Sequence, residues 1–303
     1  MKELIPTRPV LRWHGGKWLL APWIISHFPP HRIYVEPFGG AGSVLIRKDR
    51  AYAEVWNDLD GSVVNLFEVL RSERALELIH LLRMTPFSRA EFELAYLPSA
   101  DPLERARRLC VRSFMGFGSN GHERLTGFRS NSNRSGTTPA HDWVNYPDAL
   151  ELVIKRLSGV VIEHRDAKAV MLTHDGPQTL HFVDPPYLAA TRADQLKDYA
   201  HELTDADHGE LLEFLRGMRG MVILSGYPSA LYDQALPDWK RVERASLADG
   251  AAKRTEVLWI NPSAANQIGQ RQLFDAPPFL ETPLGSVPGS LPLQSEAAEG
   301  REI

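Results

Sequence analysis

Cysteine is almost absent from this 303-residue chain: Cys110 stands alone, which excludes an internal disulfide and a thiolate zinc cage. Metal chemistry would have to rest on histidine and carboxylates. The 11 histidines show no HExxH or comparable ligand spacing, so no metal is expected. Long apolar runs are missing too. No stretch approaches the roughly 20 apolar residues of a membrane span, and no signal-peptide run precedes the first prolines. A cytoplasmic protein without a membrane partner is expected. Basic charge is not in excess: the formal net charge is -4, which argues against coating nucleic acid by bulk electrostatics. There is no internal repeat.

What is present is a globular balance, 43% hydrophobic and 24% charged, with enough apolar side chains for a sizeable core. Charge is unevenly spread. Between Asp101 and Ser135 seven arginines (Arg105, Arg107, Arg108, Arg112, Arg124, Arg129 and Arg134) face only Asp101, Glu104 and Glu123. That segment is the candidate nucleic-acid surface, a solvated helix face being the plain alternative for the arginines before Cys110.

The run Ile33 to Glu36 reads as a short buried strand, followed by a glycine turn and an apolar helical start at Val44. This is the opening unit of a nucleotide-binding α/β sheet. A second strand, Ala53 to Asn57, precedes Asp58 and a helix from Gly61 to Arg71. From Glu73 to Met115 the pattern changes to successive amphipathic helices broken near Pro86 and Pro98. A loop rich in Gly, Ser, Asn and Thr follows, with a candidate hairpin around Ser130 to Gly136. Strands resume at Val160 to Glu163, Leu180 to Asp184, Met221 to Ser225 and Glu256 to Ile260, with a helix near Asp205 to Met218. The chain thus divides into 1–69 and 159–276, two parts of one α/β domain, an inserted mainly helical unit at 70–158, and an aperiodic tail, 277–303, expected to be disordered.

Three motifs carry chemistry. Asp184-Pro185-Pro186-Tyr187 directly follows a strand, at the carboxyl end where open α/β sheets bind ligands. An exocyclic amine is a poor nucleophile because its lone pair is delocalised into the ring. Hydrogen bonds from its two N–H groups to the Asp184 carboxylate and the Pro185 carbonyl would favour pyramidal geometry, with the prolines stiffening the backbone. Tyr187 offers a flat face for stacking a base. The second motif runs from Glu36 through Phe38 and Gly40 to Ser43, a turn that lets backbone approach a cofactor, with Asp58 placed to bind ribose hydroxyls. Its spacing departs from GxGxxG, which lowers NAD and FAD. The third is Arg12 to Lys17, just before a helix expected to run to about His27, where Lys17 suits a cofactor carboxylate and Trp13 its apolar portion. Each has a plain structural reading as well: a Pro-Pro turn after a strand, a tight turn with Asp58 as N-cap, and a helix entry with Trp13 in the core.

Together, in this order, the motifs RWHGGK, VEPFGGAGS with ND, and VDPPY resemble the DNA adenine methylase (Dam-like) family of N6-adenine methyltransferases. The resemblance spans roughly Leu11 to Pro262 and extends to MGFGS (Met115 to Ser119) and EVLWINP (Glu256 to Pro262). It implies a Rossmann-like class I methyltransferase, a mixed, mainly parallel sheet with helices on both faces and a target-recognition insertion. It also implies S-adenosylmethionine as cofactor, with Trp13, Lys17, Asp58 and Asp184 lining its site, Phe38 beside it and Asp166 near its adenine ring. The expected activity is methylation of N6 of an adenine flipped out of double-stranded DNA. Rival readings are methylation of RNA adenine or of cytosine N4, and a DNA-binding module without turnover. Between Gly116 and Trp143 the resemblance is loose, and no recognition site is carried over. There the residues themselves nominate Arg112, Arg124, Arg129, Asn131, Asn133 and Arg134 for DNA contact, with Arg129 favoured as a base reader, since Arg and Asn are the side chains that grip guanine and adenine edges.

Overall fold

Strands whose residues are buried on both faces can pair in parallel at the centre of a sheet, and four of the five parallel strands here read that way. The structure is a computed structural model that describes residues 6–118, 126–130, 136–192, 201–247 and 253–274. Its sheet comprises β1 (Ile33–Glu36), β2 (Ala53–Asn57), β3 (Val160–Glu163), β4 (Thr179–Val183), β5 (Met221–Gly226), β6 (Lys240–Leu247) and β7 (Lys253–Ile260). The spatial order is β3-β2-β1-β4-β5-β7-β6. The first five in that order run parallel, whereas β7 is antiparallel to both β5 and β6. The order reverses between β1 and β4, so a crevice opens beyond their carboxyl ends. Both the glycine turn after β1 and the Asp184 turn after β4 meet there.

Helices α1 (Ala21–Ile25), α2 (Ser43–Arg47) and α3 (Gly61–Leu70) belong to the first half of the sheet. Asp60, rather than Asp58, caps α3, its side chain accepting the Ser62 amide. Between β2 and β3 the chain forms α4 (Ala75–Met84), α5 (Arg89–Leu94), α6 (Pro102–Met115), α7 (Pro139–Val144) and α8 (Tyr146–Arg156). Asp101 and Pro102 start α6 with a side-chain cap and a proline in the first turn. These helices share one apolar core with α3 and the sheet: Leu66, Phe67, Leu109, Cys110, Phe114 and Tyr146 lie in a single buried cluster with Tyr34 and Trp56. The remaining helices are α9 (Ala167–Thr173), α10 (Asp205–Arg216), α11 (Ala230–Ala235) and α12 (Pro262–Phe274). Thr204 and Asp207 form a reciprocal capping box on α10.

A buried ion cluster ties the helical insertion to the sheet. Arg156, at the end of α8, grips Glu54 of β2 through Nη1 at 2.6 Å and Nη2 at 2.9 Å. Lys48 adds a second cation to Glu54 at 2.6 Å, and Arg156 also donates to the Leu45 carbonyl of α2.

Two elements depart from the sequence expectation. β6 was not foreseen, because an edge strand carries charge on its open side, here Lys240, Arg241, Glu243 and Arg244, all exposed, which blunts edge-to-edge pairing and hides the alternation. The helix following Lys17 is short, Ala21–Ile25 rather than a run to His27. Residues 131–135 of the candidate hairpin and the 277–303 tail lie outside the described residues. Among the described residues no helix is long and apolar enough to cross a membrane.

Candidate active site

The turn after β1 is shaped by close contacts that only glycine permits. A Cβ on Gly39 would stand 2.0 Å from the Trp56 indole nitrogen, and Trp56 cannot retreat because it is stacked on Phe67 at 4.1 Å. Gly40 has φ +47, a left-handed backbone, and a Cβ there would meet Trp13 at 2.7 Å. The Asp58 carboxylate locks this turn: one oxygen accepts the Gly40 amide at 2.7 Å and the other the Asp60 amide at 2.8 Å. Burial raises the Asp58 pKa, against the pull of those two amides.

The turn encloses one side of a solvent-open cleft, about 910 Å³ with its open mouth included. Its walls come from three places in the sequence: Trp13 to Lys17, Glu36 to Val44 with Asp58 to Asp60, and Asp184 to Pro186. Ala167, His201 and Leu203 complete it. Glu36, 3% exposed, accepts from the Tyr34 hydroxyl at 2.7 Å and the Leu45 amide at 2.9 Å. Burial pushes its carboxyl up from 4.5 to about 8 despite these two donors. A carboxyl with a raised folded pKa favours the fold fully below its unfolded value and loses that contribution as pH rises to the folded one. Glu36→Gln is therefore expected to flatten the fall in stability between roughly pH 4.5 and 8, as read by urea titrations across that window.

On the opposite wall Lys17 reaches Asp184 Oδ2 at 3.0 Å and the Gly15 carbonyl at 2.7 Å, while its ammonium lies 4.6 Å from the centre of the Tyr187 ring. Burial alone would lower the Lys17 pKa, but Asp184 and Glu256 outweigh it and the net direction is up. Asp184 is raised by burial against the pull of Lys17. Its Oδ1 is buried and has no hydrogen-bond partner among the described residues. The Tyr187 and Ser225 hydroxyls also pull on the Asp184 carboxyl, though neither is a geometric hydrogen-bond partner of Oδ1, and a buried carboxylate oxygen short of a donor is costly.

Of the residues singled out in the sequence, Trp13, Lys17, Glu36, Phe38, Gly40, Asp58, Asp184, Pro185 and Pro186 all line this cleft. Four are placed otherwise. Tyr187 is 5% exposed, packed edge-to-face on Tyr227 at 4.7 Å and beneath Lys17, so it does not present the open face expected for stacking a base. Asp166 is exposed and caps α9 through the Ala169 amide, leaving the neighbouring Ala167 to line the cleft. Arg129, favoured as a base reader, is 8% exposed and donates to the Phe114 carbonyl at 3.0 Å; packing has turned it inward. Arg112 is half-buried on the Ala95 carbonyl and the Tyr96 ring. Arg124, Asn131, Asn133 and Arg134 lie outside the described residues. Sequence reasoning missed Ser225 and Glu256. The one available signal for Glu256 was an acidic residue heading the otherwise apolar run Val257 to Ile260.

The reversal in strand order, the antiparallel β7 and a glycine-lined cleft facing Asp184-Pro185-Pro186 define a Rossmann-like α/β methyltransferase. More narrowly, the chain belongs to the D12 class N6 adenine-specific DNA methyltransferase family, whose pattern matches residues 13–245. It is similar to a DNA adenine methylase of Salmonella typhimurium, 22% identical over 279 residues, covering 89% of this chain and 93% of that protein. A DNA adenine methylase of Escherichia coli K12 is 30% identical over 106 residues, 33% of this chain and 38% of the relative. Among solved structures, the putative methyltransferase yhhF from Escherichia coli aligns with a TM-score of 0.31 and 11% identity, over 80% of this chain and 82% of the other.

Proposed function

We propose that the cleft binds S-adenosylmethionine and that the chain transfers a methyl group from it to N6 of an adenine turned out of double-stranded DNA. The observation that carries this reading is the Asp184-Pro185-Pro186 turn on the wall of the glycine-lined cleft, its carboxylate held by Lys17. The residues present fit the cofactor. Asp58, with lone pairs beyond its two amide bonds, can accept from ribose hydroxyls, and Trp13 and Phe38 offer apolar walls. Lys17 already holds Gly15 and Asp184, which leaves one of its three N–H donors for a ligand. Bound there, the cofactor supplies an electrophilic methyl group.

The Asp184 carboxylate and the Pro185 carbonyl accept the two N–H groups of the target amine and direct its lone pair into the cleft. Lys17 keeps the buried carboxylate ionised for that task. Its upward shift makes Asp184 a suitable temporary acceptor for the proton that the methylated amine sheds. Adenine must leave the stack to reach this rim, because N6 is paired inside the duplex. Helices α4 to α8 and the loops joining them form the target-recognition unit in this reading, and the protein works where its DNA is, in the cytoplasm. The deciding experiment is methyl transfer from labelled S-adenosylmethionine to duplex DNA, with the product digested to nucleosides. N6-methyladenine is expected; N4-methylcytosine, or DNA binding without incorporation, would overturn the proposal.

Lys17→Ala and Asp58→Ala are each expected to weaken S-adenosylmethionine binding by about 1 to 3 kcal/mol. The first removes a charge partner and the second removes hydroxyl acceptors and loosens the Gly40 turn. Calorimetric titration checks both; unchanged affinity in the two variants would remove the cofactor from this cleft.

A further inference from the structure

The Asp184 turn rests on a second polar group from far along the chain. Glu256 stands 69 residues after Tyr187 and reaches the same rim only because β7 runs antiparallel beside β5. The Tyr187 hydroxyl donates to Glu256 Oε2 at 2.8 Å, and Ser225 Oγ of β5 lies 3.0 Å from that hydroxyl. Ser225, Tyr187 and Glu256 are 1%, 5% and 5% exposed, so water cannot stand in for these partners. The Tyr187 ring in turn carries the Lys17 ammonium, which holds Asp184 Oδ2. An unbroken chain of contacts therefore runs from Glu256 through Tyr187 and Lys17 to the carboxylate proposed to meet the amine.

A buried carboxylate inside a strand, directly before its apolar half, is costly, and an apolar residue of similar volume would serve the sheet as well or better. Its use has to be sought in what it touches. We propose that Glu256 is a positioning residue for methyl transfer, anchoring the Tyr187 hydroxyl and so setting the bed on which Lys17 aims Asp184. Tyr187 acts in this arrangement as a strut beneath the site. The inference rests on the proposed transfer at Asp184.

The test uses the full chain as wild type, Glu256→Leu, Glu256→Gln, Tyr187→Phe and the double variant Glu256→Leu/Tyr187→Phe, with kcat, cofactor Kd and Tm measured for each. Glu256→Leu and Tyr187→Phe should each lower kcat about 10- to 100-fold, the scale of a small misplacement of a reacting group, with cofactor Kd and Tm near wild type. The double variant should be no worse than the poorer single one, because both cut the same contact. Glu256→Gln should stay within a few-fold of wild type, since its amide oxygen still accepts from the tyrosine. Additive losses, a Gln variant as impaired as the Leu variant, or kcat losses that follow Tm would overturn the proposal. A wild-type chain that transfers no methyl group would instead overturn the reading beneath it.

Discussion

Asp184→Ala is expected to lower methyl transfer to DNA by a factor on the order of a thousand or more, because it removes an oriented acceptor that works only at the reacting amine. The physical case is the position of Asp184, on the wall of the cleft with Lys17 on Oδ2 and no hydrogen-bond partner for Oδ1 among the described residues. The fold should survive, since the Lys17 left behind still meets the Gly15 carbonyl and lies in the field of Glu256. DNA affinity should change little and cofactor affinity modestly. Single-turnover transfer, gel-shift binding and thermal melting on one preparation check these together. Turnover near wild type would show that this turn is not where the amine is held.

Arg156→Met is expected to have the largest effect on stability, a loss of about 3 to 5 kcal/mol, because it strands a buried carboxylate without its bidentate partner. Burial alone would raise the Glu54 pKa; Arg156 and Lys48 together outweigh it and hold the group below its ordinary value. Losing the arginine exposes the desolvation cost at the joint between α8 and β2. Replacing Lys48, Glu54 and Arg156 together by apolar residues of similar volume should recover much of the loss, since no buried charge then remains. Urea denaturation of the two variants measures both effects. A single variant within about 1 kcal/mol of wild type would show that Lys48 alone suffices for Glu54.

Burial on both faces writes itself into local composition, which is why β1, β4, β5 and most of β7 were legible as apolar runs. The charged edge strand β6 was not. The glycine turn and the Asp184 turn were legible for a related reason: each is a short contiguous segment whose residue types can be read directly from the chain. Arg129 shows the limit of such reading. A loop of Ser and Asn beside an arginine has the composition of a groove reader, yet its guanidinium faces the Phe114 carbonyl, a contact that depends on how the loop returns to α6.

The sequence by itself determined the order of the motifs and the presence of an Asp184-Pro185-Pro186-Tyr187 turn directly after a strand, because these are properties of contiguous residues. Only the tertiary structure decided that Tyr187 turns inward to Glu256, that Lys17 is held by Asp184, and that Arg156 meets Glu54. Those pairings follow from which strands lie side by side. Apolar periodicity states that a strand is buried but not which strand it lies against, and β7 entering antiparallel between β5 and β6 is what carries Glu256 to the Asp184 turn.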